Sequence, residues 1–178
     1  QLRLENSGLR QRRFTVTYYA EWVLGVDRAD TQSHIISEYA EEDHALLARN
    51  GYSAEFGQRV AFVAASKQPH GLSADRTDFL GRLGSLIHPA ALKRVGLNSR
   101  VEAGADPCAV LQLHMDLAPG AQEEVYFLIG QDADRQAAQA LIQRFQNPHA
   151  VEAAWLATQA LWAQLTSAVA SKDIGDAM

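Results

Sequence analysis

The stretch DRTDFLGRLGSLIHPAAL, residues 75–92, concentrates charged and glycine residues that are able to bind a polar ligand. Asp75, Arg76 and Arg82 can form charge-assisted hydrogen bonds, and the two glycines nearby permit backbone turns that larger residues disfavour. The segment lacks the Gly-Lys-Ser/Thr ending of a P-loop, so phosphate binding by the two arginines is the weaker alternative. These three charged residues are the candidate ligand-binding residues of the chain.

The acidic residues show no arrangement that predicts acid/base catalysis. Glu41, Glu42 and Asp43 are adjacent, but they fall between two predicted strands, where a solvated turn is favoured over a catalytic pair. Catalysis by two carboxyl groups needs surroundings that push their pKa values apart. Glu123 and Glu124 are neighbours in a predicted strand, so their side chains point to opposite faces. We therefore predict no catalytic residue in this chain.

The histidines and the single cysteine predict no metal site, and nothing in the sequence predicts a cofactor. The histidines at positions 34, 44, 70, 88, 114 and 149 include no pair at the i, i+4 spacing of a zinc-binding helix. His114 falls on the polar face of a predicted strand and should be exposed. Cys108 has no base beside it and is expected to be a buried small hydrophobic residue rather than a nucleophile. One unpaired thiol suits a reducing compartment, which predicts a cytoplasmic location.

Alternation of apolar and polar residues predicts the strands that must position these side chains. Residues 14–24 and 109–117 alternate along their length, as half-buried strands do. Residues 59–65 are apolar on both faces and are expected to lie centrally in a sheet. Further strands are predicted at residues 2–6, 32–39, 45–49 and 122–130.

Turn residues between these strands predict two hairpins. Ser7-Gly8 follows the first strand, so residues 1–24 are expected to form one hairpin. Ala118-Pro119-Gly120 has proline and glycine in the order of a type II turn, which predicts a second hairpin over residues 109–130. Asn50-Gly51 signals a further turn.

The period changes to that of helices near the carboxyl end. Asp132 can cap one helix, and Asn147 with Pro148 at the first helical position predicts the start of another. Trp155 and Trp162 share one stripe of the second helix. A core position is favoured for this stripe over stacking on a sugar ring.

The order of elements, strands first and helices last, predicts a mainly β fold. An antiparallel β-sandwich with C-terminal α-helices fits this order better than alternating βαβ units. We expect the sandwich over residues 1–131, two helices over residues 132–171, which the family resemblance described below makes linker helices, and a disordered tail over residues 172–178.

The composition is that of a single globular domain and excludes several classes of partner. The chain has 178 residues, of which 47% are hydrophobic and 21% are charged. The net charge of −5 argues against nucleic acid or an anionic membrane surface as a partner. No apolar run approaches the roughly 20 residues of a membrane-spanning helix, so no membrane contact is predicted for this segment. The sequence begins at Gln1 without an initiating Met, which suggests a piece of a larger protein.

Three blocks of sequence together resemble a known family. They are LRLENSGLRQRRFTVTYYAEWVLG at residues 2–25, the stretch at residues 75–92, and DPCAVLQLHMDLAPGAQEEVYFLIGQ at residues 106–131. In order and spacing they are similar to the β-sandwich domain of glycoside hydrolase family 94, over about residues 2–170. That family includes cellobiose and chitobiose phosphorylases and the carboxy-terminal region of cyclic β-1,2-glucan synthase.

The resemblance implies a fold and a set of partners. It implies a supersandwich of the galactose-mutarotase-like kind, followed in the parent enzyme by linker helices and an (α/α)₆ catalytic barrel. The barrel carries the general acid and the phosphate-binding groups, and nothing in this chain matches it. It further implies a β-glucan or oligosaccharide substrate, an inverting phosphorylase or glycosyltransferase activity of the parent, and a possible homodimer. The parent would place this region on the cytoplasmic side of an inner membrane.

The function predicted by this resemblance is non-catalytic support of a glycan site in the missing barrel. Within it, residues 75–92 are expected to anchor the sandwich to its neighbour rather than to contact sugar directly. Two alternatives remain open. One is a self-sufficient carbohydrate-binding module, and the other is a subunit-interface scaffold without ligand.

Overall fold

Strands and helices make up most of the chain. A computed structural model describes residues 1–102 and 106–167. The strands of these residues are β1 Leu2–Glu5, β2 Arg12–Glu21, β3 Ile35–Ala40, β4 Ala45–Asn50, β5 Val60–Ala65, β6 Gly71–Asp75, β7 Pro107–Leu117, β8 Gln122–Val125 and β9 Phe127–Asp132. The α-helices are α1 Arg28–Thr31, α2 Arg76–Leu80, α3 Arg135–Phe145 and α4 Pro148–Ser167, with 3₁₀ turns at Gln32–His34 and Ala90–Lys93.

The strands pair antiparallel in three sheets. A four-stranded sheet has the order β3-β4-β5-β9, a three-stranded sheet has the order β2-β7-β6, and β1 pairs with β8. The predicted mainly β, antiparallel class is confirmed. β5 is an interior strand of its sheet, as its two apolar faces predicted.

One core cluster joins the two larger sheets. Leu46 and Val63 of the four-stranded sheet and Leu111 and Met115 of the three-stranded sheet belong to it, and each is almost completely buried. Trp22 closes this cluster and is itself buried. Because each sheet hides its apolar face against the other, the arrangement is a β-sandwich.

Helices and loops cover the outer faces of the sandwich. Ala138 and Ile142 of α3 pack on Phe62 and its neighbours, which point away from the other sheet. On the opposite side, α2 contributes to a small cluster that includes Cys108. Cys108 is completely buried, as predicted, and burial raises the pKa of its thiol. The layers explain why β5 and β7 are apolar on both faces.

The predicted hairpin over residues 1–24 is wrong. β1 pairs with β8, and β2 pairs over its whole length with β7, from Arg12 opposite Leu117 to Glu21 opposite Cys108. The alternation of apolar residues along β2 was read correctly. Alternation within one strand does not predict which strand pairs with it, and here the partner β7 lies about a hundred residues further along the chain.

The predicted hairpin over residues 109–130 is also wrong, although its turn is present. Ala121 N donates to Ala118 O at 3.0 Å and Gly120 has a φ of +73°, as a type II turn requires. The returning chain breaks at Tyr126, whose backbone N–H and C=O both bond to Ser66. The segment before this break pairs with β1 and the segment after it pairs with β5, so one strand becomes two in different sheets.

The acidic turn between β3 and β4 is only partly solvated. Glu41 and Glu42 are exposed as expected, but Asp43 is 1% exposed. Its carboxylate accepts hydrogen bonds from Gln139 Nε2 at 2.5 Å and Gln143 Nε2 at 3.0 Å. The prediction of a solvated turn is therefore wrong for this residue, because α3 returns to cover it.

The chain divides into two compact units, residues 1–143 and 144–178. The strands end at Asp132, and the predicted linker segment 132–171 is distributed over both units. Residues 168–171 and the predicted disordered tail at 172–178 lie outside the described residues.

The helix of the second unit begins where the sequence predicted. Asn147 Oδ1 accepts from His149 N at 3.0 Å, and Pro148 is the first residue of α4. Trp155 and Trp162 are more than half exposed, and no described residue of α4 is buried. The prediction that this stripe is core is therefore wrong for this chain.

Candidate functional site

Asp75 ends β6 and caps α2. Its Oδ1 accepts a hydrogen bond from Thr77 N at 2.8 Å, which satisfies a backbone donor at the start of the helix. Its second oxygen lies 3.3 Å from Arg100 Nη1. Asp75 is buried, so its carboxylate is engaged by the protein itself on both sides.

Arg76 follows the cap and ties α2 to the neighbouring strands. Its Nε lies 2.9 Å from Glu21 Oε1 at the end of β2, and its Nη1 lies 3.4 Å from Asp106 Oδ2 before β7. Its backbone N–H donates to Asp106 O at 2.7 Å. Side chain and main chain therefore both fix where α2 begins.

Arg28 of α1 completes this group, which we call the four-residue ion cluster: Glu21, Arg28, Arg76 and Asp106. The Arg28 guanidinium donates to Trp22 O at 3.0 Å and to Pro107 O at 3.2 Å. It also pairs with the carboxylates of Glu21 and Asp106. Two guanidinium groups thus balance two carboxylates where the end of β2 meets the start of β7.

The electrostatics of the ion cluster keep Glu21 and Arg76 charged. A hydrogen bond from Tyr19 Oη, 2.5 Å long, is the main cause that lowers the pKa of Glu21, and Arg76 and Arg28 lower it further. The hydrogen bond to Glu21 raises the pKa of Arg76. Because the pKa of the carboxylate is lowered and the pKa of the guanidinium is raised, neither group exchanges a proton near neutral pH. The ion cluster therefore fits a positioning role better than acid/base chemistry.

Asp78 anchors the far end of the loop that follows α2. Its carboxylate accepts from Ser73 Oγ at 3.0 Å, Arg94 Nη2 at 3.2 Å and Asn98 Nδ2 at 2.5 Å. Arg94 also donates to the Asp78 carbonyl at 2.7 Å. The chain that leaves α2 therefore returns to the same residue some sixteen positions later.

Residues 81–96, which we call the anchored loop, leave the sandwich between these attachments. Gly81 adopts a φ of +85°, which a side chain disfavours, and its N–H closes α2 on Thr77 O at 3.0 Å. Leu80 is buried behind this turn. The large apolar residues beyond it are exposed: Leu83, Leu86, Ile87, Leu92 and Val95.

The structure separates the three candidate ligand residues. Asp75 and Arg76 take part in internal contacts, whereas Arg82 is exposed in the anchored loop. Within the described part of the chain, the Arg82 side chain forms no hydrogen bond or ion pair. A ligand role for the three remains a prediction.

Sequence reasoning missed the partners that hold the loop: Glu21, Arg28, Asp78, Asp106 and Arg100. The contact between Arg76 and Glu21 spans 55 residues, and the contact with Asp106 spans 30. No spacing pattern predicts such pairs. The one available signal was that Glu21 ends a strictly alternating strand and Asp106 directly precedes another.

The described residues hold no cluster of three or more His, Cys, Asp and Glu side chains suited to a metal ion. His114 is exposed, as predicted, and its ring stacks on His70 rather than converging with it on a shared point. Among the same residues, no helix has the length and apolar character needed to cross a membrane.

Two stacked antiparallel sheets with a helix on one outer face and an anchored loop on the other define a β-sandwich domain. Comparison of the sequence places it more narrowly. Residues 1–148 match the glycosyl hydrolase 94 supersandwich domain. The chain belongs to this family, which confirms the predicted resemblance and fold class.

A relative gives the same assignment. Over 170 residues, or 95% of the chain, the sequence is 31% identical to a cyclic beta-(1,2)-glucan synthase, NdvB, of Rhizobium meliloti (strain 1021). The chain spans 6% of that relative's length.

Proposed function

We propose that this chain is a non-catalytic domain of a β-glucan-processing enzyme, and that it presents the anchored loop to the catalytic region of that enzyme. The parent would be a cyclic β-1,2-glucan synthase or a related β-glycoside phosphorylase. Family membership and the name of the relative support the glycan context. The single observation that carries the docking role is the exposed apolar surface of the anchored loop.

This surface has the character of a contact with protein. Leu83 and Ile87 are 101% and 81% exposed, although large apolar side chains in a cluster are normally covered. The attachments at Asp75 and Asp78 hold the ends of the loop, so little order has to be gained when a partner binds. A rigid loop with an apolar tip suits docking against a neighbouring domain, and the ion cluster behind it acts as the anchor.

The docking role has a direct test in the parent enzyme. The double variant Leu83→Ser/Ile87→Ser should lower glucan turnover at least tenfold while the isolated chain keeps its thermal midpoint. Leu9→Ser is the matched control, because Leu9 is equally exposed in another turn and should leave turnover unchanged. Equal turnover of the double variant and the unchanged enzyme would contradict docking through this loop.

The absence of catalysis in the domain itself is tested separately. The isolated chain, incubated with β-1,2-glucan and inorganic phosphate, should release no glucose 1-phosphate, because acetal cleavage would then depend on groups in the barrel. Release that scales with the concentration of this chain would contradict the proposal. The proposal also places the domain on the cytoplasmic side of the inner membrane, because an unpaired thiol such as Cys108 suits a reducing compartment.

A second candidate function is that of a subunit-interface scaffold, and α4 is the observation that favours it. Trp155 and Trp162 are exposed on a helix that carries a single charged residue, Glu152. In sedimentation velocity, the chain should then associate as its concentration rises, and Trp155→Ser/Trp162→Ser should remain monomeric. A monomer at all concentrations would exclude self-association through this face.

A further inference from the structure

A cleft of about 900 Å³ opens on the surface of the sandwich, away from the contacts described above. It lies between the segment after β2, the β4–β5 loop at residues 51–59, and the inner face of β5 and β9. We call it the β4–β5 cleft. None of the residues of the ion cluster or the anchored loop lines it.

The floor of the cleft is apolar and open to solvent. Ile129 pairs with Val63 in the sheet register, so its side chain lies on the core face of the sheet. Val63 is completely buried, yet Ile129 is 62% exposed, because the opposite sheet does not cover β9 at this point. Leu24 and Phe56 form apolar walls, and Phe56 is about half exposed.

The rim of the cleft is polar and carries both signs of charge. Arg59 Nε donates to Gln131 Oε1 at 2.6 Å, which orients the guanidinium and the amide together. The other N–H groups of Arg59 and the amide N–H₂ of Gln131 have no partner among the described residues. Glu55 adds carboxylate acceptors on the same rim.

The walls of the cleft are held together before any ligand binds. Asn50 is buried, and its Nδ2 donates to Leu24 O at 2.8 Å while its Oδ1 accepts from Tyr52 N at 3.1 Å. Phe56 N donates to Ser53 Oγ at 3.0 Å, and Arg59 N donates to Phe56 O at 3.0 Å. Pre-organisation of this kind reduces the entropy lost on binding.

The mixed rim selects among classes of small ligand. An anion would meet the Glu55 carboxylate and a cation would meet the Arg59 guanidinium, so neither is complementary to the whole rim. Neutral hydroxyl groups can accept from the guanidinium and the amide and donate to the carboxylate. A ligand with an apolar C–H face as well can pack on Phe56 and Ile129. A sugar unit has both properties.

We propose that the β4–β5 cleft binds a short neutral oligosaccharide. The inference rests on the proposed glycan context of the domain and assigns to it a sugar site distinct from Asp75, Arg76 and Arg82. Its volume is within the range of ordinary ligand clefts, which is roughly 300–1,000 Å³. The site would hold a glucan segment on the domain without any chemical step.

The test is a calorimetric titration of the 178-residue chain with β-1,2-linked glucotriose and, separately, with cellotriose. At least one trisaccharide should bind, and Phe56→Ala and Arg59→Ala should each weaken binding about tenfold or more. Arg10→Ala is the control, because Arg10 is an exposed arginine that does not line the cleft, and it should bind as the unchanged chain does. Thermal melting of each variant checks that it is folded.

Chemical-shift mapping on the unchanged chain keeps the test independent of the variants. The trisaccharide should perturb amides of the β4–β5 loop and of β9 around Gln131. No binding of either sugar, or perturbations confined to residues 75–92, would overturn the proposal. The docking experiment on Leu83 and Ile87 would stand unaffected, so failure of the cleft is distinguishable from failure of the proposed function.

Discussion

Arg76 donates a hydrogen bond from Nε to Glu21 Oε1 over 2.9 Å and so joins the first turn of α2 to the last residue of β2. The two side chains are 40% and 31% exposed, so solvent reaches the pair but does not surround it. The same guanidinium reaches Asp106, which precedes the central strand β7. One side chain therefore ties the start of α2, from which the anchored loop leaves, to the end of β2 and to the residue before β7.

Replacement of Arg76 tests this dependence. Arg76→Met keeps most of the aliphatic length and removes the charge, and it should lower the free energy of unfolding by about 1 kcal/mol. The expected loss is modest because the pair is partly exposed. Urea denaturation measures it. Arg82→Met, in an exposed side chain without partners, should change the free energy by less than about 0.5 kcal/mol.

A double-mutant cycle with Glu21→Gln separates the pair from the rest of the ion cluster. If Arg76 and Glu21 act together, the two losses should fail to add by about 0.5 kcal/mol or more. Strict additivity, or an equal effect of the Arg82 variant, would contradict an anchoring role for Arg76.

The cap of α2 gives a second prediction. Asp75→Asn keeps a side-chain oxygen for Thr77 N and loses the ion pair with Arg100, whereas Asp75→Ala loses both. The alanine variant should therefore be less stable than the asparagine variant by about 1 kcal/mol. Thermal or urea unfolding of the two purified variants measures the difference. Equal stability would show that the cap contributes nothing to the loop.

Burial of Asp43 gives a third prediction. Asp43→Ala removes the two hydrogen bonds that Gln139 and Gln143 donate to a buried carboxylate, which should cost about 1–3 kcal/mol of unfolding free energy. Glu42→Ala, one residue earlier in the same turn but exposed, is the matched control and should cost less than about 0.5 kcal/mol. If both variants were equally stable, α3 would not depend on this contact.

Local patterns in the sequence predicted much of this fold because local physics decides those features. The alternation along β2 and β7, the apolar character of β5 and the turn at Pro119-Gly120 are all present in the structure. Each depends on side chains within a few residues of one another. The burial of Cys108 was predicted as well, because a lone thiol with no base beside it behaves as a small hydrophobic residue.

Strand partners and site contacts could not be predicted in the same way. The pairing of β1 with β8 and of β5 with β9 depends on the break at Tyr126, which no turn residue marks. Asp43 looked solvated because the helix that buries it comes almost a hundred residues later. The β4–β5 cleft, including Ile129 and Arg59, has no spacing signal either, because three separate segments of the chain form it.

His70 and His114 form a stacked pair on the outer face of the three-stranded sheet. Their ring centroids lie 3.3 Å apart at an interplanar angle of 15°. His114 Nδ1 lies 3.2 Å from Thr15 Oγ1, and His70 N donates to Gln112 O at 2.9 Å. Stacked imidazoles tolerate each other when neutral and repel each other when both are protonated.

The pH dependence of stability should therefore reflect this pair. Burial, followed by the charge of His114, lowers the pKa of His70, so the unfolded chain binds the proton more readily than the folded chain does. The stabilising contribution is present above the ordinary histidine pKa of about 6.5 and is lost as the pH falls below it. Urea unfolding between about pH 7.5 and 5 should show this loss, and His70→Gln should reduce the slope. His88→Gln, in an exposed histidine outside the pair, should keep the slope, and an unchanged slope in the His70 variant would contradict the prediction.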